Sequence, residues 1–332
     1  MVVTLWFSYS LPDYITLDSP EPRRSPYHHA WHTGNMLRQK AQEHGWDFKY
    51  VNLDSTDPVT IGEDDICIYH AWFDDGCFSQ QVTHQSCKAK IILQPFTLKM
   101  VGNEALASLH EQWGAADRLL LNTGRYWWDA IDGSEYAQYK SKAVRLDNVC
   151  NPDLHPFSKR TWNEPGKRAF LCIGYDNPIK GLDQVALLAR TTGIKLLHCG
   201  TVAPNFWDHV PHVHSMNGME FTPSTIEWVC DRFDAFLTMG RFDANPTTLN
   251  ETACWGLLPC CTEQSGYYGG EPFIELKLDD LAYNMDVIDW IQRAPSIELA
   301  TRQAQIRQTI LDEYTIEARL DLIWDTIAEV VL

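Results

Sequence analysis

Asp243 and Glu251 stand eight residues apart across a helix start, and that spacing is the first sign of chemistry in the chain. An apolar run, Ala235–Met239, leads into a loop holding Asp243, and a helical stretch begins near Thr247. An acid in the loop and an acid one turn into the helix can point to one place from two elements. Thr247 and Thr248 put backbone N–H groups at the positive end of that helix, where no earlier turn accepts them, and such an end takes a phosphate. Glu251, one turn further, suits vicinal ribose hydroxyls, because hydrogen bonds to an ionised acceptor are strong. Taken as an isolated pair, the two acids would more often be a loop cap and a solvated helix residue. The strand–loop–helix–Gly–strand frame around them reverses that balance.

That frame is one unit of a longer pattern. Val2–Tyr9, Phe48–Leu53, Asp65–His70, Lys90–Gln94 and Arg118–Asn122 are predicted strands, with helices over Thr33–Glu43 and Asn103–Trp113. Asn151–Gly166, rich in Pro, Asn and charge, is the expected linker. Strands over Arg168–Ile173, Lys195–Cys199, Ala235–Met239 and Leu258–Cys261 follow, with helices over Gly181–Thr191, Thr247–Trp255, Ser296–Leu311 and Ile316–Val331. Alternation of this kind builds parallel sheets covered by helices on both faces. Ligands bind such sheets beyond the carboxyl ends of the strands, which is where Asp243 falls.

The 332 residues leave room for two domains, and the net charge of −17 argues against a protein that coats nucleic acid by bulk electrostatics. The part up to Cys150 holds 13 basic and 19 acidic residues, against 14 and 25 beyond it, so the first part is the less unfavourable one for a polyanion. Ten cysteines are scattered without Cys-x-x-Cys or zinc-finger spacing, which predicts free thiols in a reducing, cytoplasmic setting, the host cytoplasm if the protein is viral. No stretch is apolar enough for a membrane span, and the N-terminus lacks a signal-peptide pattern.

The segment Asp243, seven residues, Glu251, then Thr252-Ala253-Cys254-Trp255-Gly256 and Leu257–Cys261, resembles the donor-site signature of the retaining family 4 glycosyltransferases, which have the GT-B fold. The first acid is Asp where that family has Glu. A second segment, RAFLCIGYDNPIKGLDQVALLAR (Arg168–Arg190), resembles the same family's strand, Gly, loop, Lys-Gly, helix pattern. DICIYHAWFDD (Asp65–Asp75), RLDNVCNPDLHPF (Arg145–Phe157) and QTILDEYTIEARLDLIWDTI (Gln308–Ile327) extend the likeness to nearly the whole chain.

The resemblance implies an α/β chain of two doubly wound Rossmann-like domains facing a cleft. Residues 1–150 would bind the acceptor, 151–167 would link, 168–312 would bind the nucleotide sugar, and 313–332 would return to the first domain. In this scheme Glu251 holds the ribose, Asp243 contacts the donor sugar, and Lys180, beside Gly174 and the start of the next helix, neutralises the departing diphosphate. Ser25-Pro26-Tyr27-His28-His29 replaces the family's Gly-Gly loop and Gln94-Pro95-Phe96-Thr97 replaces its His, so His28, His29 and His70 are candidates for those duties. Asp13 and His70 are the fallback bases should the reaction invert. Trp31, Trp72, Trp127 and Trp128 offer faces for a sugar or base, and Arg23-Arg24 and Arg125 offer charge to an acceptor.

The expected activity is transfer of a sugar, with retention, from a nucleotide-sugar donor to a hydroxyl acceptor: a glycan, a lipid-linked sugar or a small molecule. Hydroxymethylated pyrimidines in phage DNA are a second acceptor class, disfavoured by the charge, and a non-catalytic nucleotide-sugar binder is the rival outside enzymes. No cofactor and no metal are expected, since Asp-x-Asp is absent and the pairs Asp64-Asp65, Asp74-Asp75 and Asp279-Asp280 fall outside the donor site.

Overall fold

The computed structural model describes residues 2–22, 27–99, 103–268 and 272–332, apart from the side chains of Tyr27, Asn103 and Glu104. Arg23-Arg24 and Ser25-Pro26 lie outside the described residues. The chain forms two compact units, one of residues 1–123, 129–146 and 317–332, the other of residues 124–128 and 147–316. The short segment 124–128, within the expected acceptor domain, thus packs with the second unit, and the linker does too. No helix among the described residues is long and apolar enough to cross a membrane.

The first unit runs β1 (Thr4–Tyr9), α1 (Tyr27–Glu43), β2 (Asp47–Asn52), β3 (Ile66–Tyr69), α2 (Phe78–His84), β4 (Ala89–Pro95), α3 (Asn103–Ala115) and β5 (Arg118–Asn122). After α4 (Arg125–Ala130) comes β6 (Ala143–Leu146). Its strands are all parallel in the order β2-β1-β3-β4-β5-β6. Parallel strands covered on both faces carry unbroken apolar runs, and Ile66-Cys67-Ile68-Tyr69 is wholly buried. Asp65, one of the paired acids, is a structural staple: it accepts from Thr4 N at 2.9 Å, Gly62 N at 2.8 Å and Trp6 Nε1 at 3.0 Å.

The second unit runs β7 (Ala169–Ile173), α5 (Leu182–Thr192), β8 (Lys195–Cys199), β9 (Val213–Met216), α6 (Pro223–Arg232), β10 (Ala235–Leu237), α7 (Thr247–Trp255), β11 (Leu258–Thr262), β12 (Ile274–Leu276), α8 (Leu281–Arg293) and α9 (Ser296–Glu313). Its parallel order is β12-β11-β10-β7-β8-β9. The last helix, α10 (Ile316–Val331), sends Ile323, Ile327 and Val331 into the core of the first sheet.

The linker is tied to the second unit by a buried charge cluster. Lys159 Nζ donates to the carbonyls of Cys230 (2.8 Å) and Phe233 (2.7 Å), at the end of α6, and to Asp234 Oδ1 (3.1 Å). A helix C-terminus leaves carbonyls without partners, and a lysine there satisfies them. Asp234 in turn accepts from the backbone of Asn163 and Ala169, both at 3.0 Å, joining linker to β7. All ten cysteines are free thiols, and all but Cys87 are buried.

Candidate functional site

Strand order decides where each unit can take a ligand. In the second sheet the chain leaves β7 toward β8 and β9, then returns to β10 on the other side of β7. The loops after β7 and β10 therefore diverge, and the gap above a switch of direction is where doubly wound sheets bind ligands. Lys180 lies in the loop after β7 and Asp243 in the loop after β10.

These two side chains meet. Lys180 Nζ stands 2.5 Å from Asp243 Oδ2, with about 25% and 13% of their side chains exposed. Burial opposes the ammonium charge, but the carboxylate outweighs it and holds the Lys180 pKa above its ordinary value. The lysine is aimed by a tight turn, Pro178–Lys180, whose Asn177 side chain accepts from Ile179 N at 2.9 Å. Gly181 ends the turn at φ 61°, and a Cβ there would strike the Met239 carbonyl, so only glycine lets the two loops approach. Arg241 N donates to Ile179 O at 2.8 Å and zips the loops together, while its guanidinium forks onto Asp183 at 2.7 and 2.6 Å.

Asp243 is fixed by its backbone. Its N–H donates to Gln264 O at 3.1 Å, and its carbonyl accepts from Trp127 Nε1 at 2.9 Å. Trp127 is only 3% exposed, which corrects the expectation of a stacking face: the ring is a buried brace that also reaches Gln264 O at 3.2 Å. This bond explains why 124–128 belongs to the second unit. Two residues on, Asn245 accepts from Asn148 Nδ2 and Tyr267 Oη and donates to Asp147 Oδ1 at 3.1 Å, so the approach to α7 is rigid.

Pro246 starts α7 at φ −66° and ψ 120°, and no side chain caps it. Proline has no N–H, so the next free donors belong to Thr247 and Thr248, of which Thr247 is buried. Glu251 lies on the same helix with 14% of its side chain exposed, and burial pushes its pKa up to about 7. Trp255 Nε1, a donor only, sits 3.0 Å from His155 Nδ1. The neutral His155 ring therefore carries its proton on Nε2, the nitrogen 3.9 Å from Glu251 Oε1. Gly174 is not required by local sterics. A Cβ there would make ordinary contacts of 3.8 Å to Leu182 and 3.9 Å to Lys180. What its missing side chain leaves is room beside the Lys180 stem.

In the first unit the chain passes from β1 to β2 on one side and comes back to β3 on the other, so the loops after β1 and β3 flank its switch point. His70 follows β3 directly, half-buried, with Nδ1 2.8 Å from Ala71 O, and burial pushes its pKa down to about 4. His28 and His29, in the first turn of α1, are 5% and 9% exposed. His28 lies against Glu21 and His32, a grouping that sequence spacing did not single out. Arg241, His155 and Asn245 were also missed; only Asn245, just ahead of Pro246 at the helix start, carried a local signal.

Two parallel Rossmann-like units of this construction make the α/β fold of the GT-B glycosyltransferases. Among solved structures the chain is similar to sucrose-phosphate synthase from Thermosynechococcus elongatus, with TM-score 0.69, 11% identity and 98% of each chain covered. It is similar to a glycosyltransferase from Rickettsia africae at TM-score 0.66, with 10% identity over 99% of both chains. An alpha-glucosyltransferase in complex with UDP and a 13-mer DNA containing an HMU base matches at TM-score 0.61, with 9% identity over 99% of this chain and 100% of that one. At these identities the likeness establishes the fold. No family model matches the sequence, and no curated protein matches it.

Proposed function

We propose that the chain is a nucleotide-sugar-dependent glycosyltransferase acting with retention, with its donor held at the switch point of the second unit. One observation carries this: Lys180 and Asp243, 63 positions apart, converge to 2.5 Å ahead of an uncapped helix start. The diphosphate would draw Lys180 away from Asp243 and lie against the N–H groups of Thr247 and Thr248. Asp243, so released, accepts from hydroxyls of the donor sugar. Glu251 accepts from the ribose. In the transfer the bond from the anomeric carbon to the phosphate oxygen breaks and one to the acceptor oxygen forms on the same face. The acceptor proton passes to the departing phosphate oxygen, so no protein base is required. Lys180 stabilises charge that grows only as the bond breaks, which is the condition for raising kcat.

The similarity to an enzyme solved with HMU-containing DNA, over both full chains, favours a modified base as one acceptor to test beside glycans and small hydroxyl compounds. Cytoplasmic location follows from the thiol-rich composition and belongs to the same proposal. A donor screen that reads released nucleoside diphosphate, run with and without each acceptor, tests the assignment. Release by the wild-type protein that falls sharply in Glu251→Ala supports it. No release and no nucleoside-diphosphate binding with any common donor would overturn it, and binding without release would leave a binder in place of an enzyme.

A further inference from the structure

We propose that Glu21, His28 and His32 form a binding site for a divalent cation of the zinc class, at the start of α1 in the first unit. His28 and His32 are four positions apart, on one face of the helix, and Glu21 arrives from the loop before it. Glu21 Oε1 lies 2.6 Å from His32 Nε2 and 3.5 Å from His28 Nδ1, and one ligand atom from each residue falls within 4.8 Å of the others. Zinc binds nitrogen and oxygen at about 2.0–2.2 Å, so tetrahedral ligands stand roughly 3.3–3.5 Å apart. The Glu21–His28 pair already has that separation. The Glu21–His32 pair must open by under about 1 Å, for which the Glu21 side chain, 28% exposed, has room.

His28 presents its Nδ1 to the site. Its ring is 5% exposed, yet Nδ1 faces only acceptors, Pro22 O at 3.0 Å and Glu21, and Nε2 has no hydrogen-bond partner among the described residues. With its proton on Nε2, the neutral ring turns its Nδ1 lone pair toward Glu21, and no described residue donates to it there. A cation bound at Nδ1 takes that lone pair and leaves the ring proton on Nε2. Two imidazoles and one carboxylate select zinc, cobalt or nickel over magnesium and leave coordination positions open. No step of the proposed transfer passes through this cation.

The test uses the full chain stripped with EDTA, exchanged into chelator-free buffer and titrated with zinc chloride. One zinc per chain is expected, with affinity lowered at least about tenfold in both Glu21→Ala and His32→Ala. His32, partly exposed, is the substitution least disturbing to folding, and circular dichroism checks both variants. Should either fail to fold, cobalt(II) on the wild-type chain decides: d–d bands without a thiolate charge-transfer band support nitrogen and oxygen ligands. A thiolate band, zinc bound equally well by both folded variants, or no zinc bound at all would each overturn the site.

Discussion

Replacing Glu251 with Gln is expected to stabilise the second unit while weakening its hold on nucleotide. The Glu251 carboxyl is raised from 4.5 to about 7 by burial, so the folded chain keeps this proton where the unfolded chain has lost it. A raised carboxyl pKa makes folding dearer as pH rises: the penalty is absent below 4.5, grows between 4.5 and 7, and is constant above. At about 1.4 kcal/mol for each tenfold change in proton affinity it reaches at most about 3 kcal/mol. Gln has the shape of the neutral acid and no charge to bury. In a unit of this size that gain corresponds to a rise in Tm of roughly 5–10 °C at pH 8, shrinking to nothing near pH 4.5. Nucleotide affinity moves the other way. Loss of a charge-assisted ribose contact should cost about ten- to a hundredfold at pH 8. Wild-type affinity should decline as pH falls through 7, whereas that of Glu251→Gln stays flat. Thermal unfolding and calorimetry with a nucleoside diphosphate, each at pH 5 and pH 8, read both effects. A variant no more stable than wild type at pH 8, or equally stabilised at pH 5, would refute the burial argument. Unchanged nucleotide affinity would refute the ribose assignment.

Lys180→Ala should lower kcat by about a hundredfold or more and change donor KM less, because the charge it meets develops in the transition state; wild-type turnover would show that another group neutralises the diphosphate. Nucleoside-diphosphate affinity should agree within about twofold in magnesium and in EDTA, since in the proposed site a lysine and a helix start would take the place of a metal; a tenfold gain with magnesium would sink the metal-free clamp. Trp127→Phe removes the donor shared by the carbonyls of Asp243 and Gln264 and should cost about 1–3 kcal/mol of stability in denaturant melts. The same substitution should lower kcat through the displaced Asp243 loop, and a variant with both properties intact would show that the brace is idle.

Much of the framework was legible because it is written in contiguous windows. The bounds of α7, Thr247–Trp255, follow from Pro246 before it and Gly256 after it, the latter at φ 105° where only glycine sits easily. Buried strands such as β3 and β5 announce themselves as apolar runs. Local reading fails where the pattern is weak. Strand β9, Val213–Met216, has no buried residue and so no apolar run. Helix α1 begins at Tyr27, not Thr33, because aromatic and imidazole side chains there blur the amphipathic period.

By itself the sequence determined which residue types are proposed to meet a diphosphate and a ribose, and the elements on which they sit. Propensity, capping and hydrophobic period are properties of neighbours in the chain, so they survive without a fold. Only the tertiary structure decided that Lys180 meets Asp243, that Trp127 braces Asp243 rather than facing solvent, and that Glu21 closes on His28 and His32. Burial also set the Glu251 carboxyl near 7, although the same residue in a solvated helix would titrate as an ordinary acid. Strand order is a global property, set when the chain returns from β9 to lay β10 beside β7, and no window of residues contains it. The residues at the switch point could be chosen from the sequence; their apposition and their protonation came from packing.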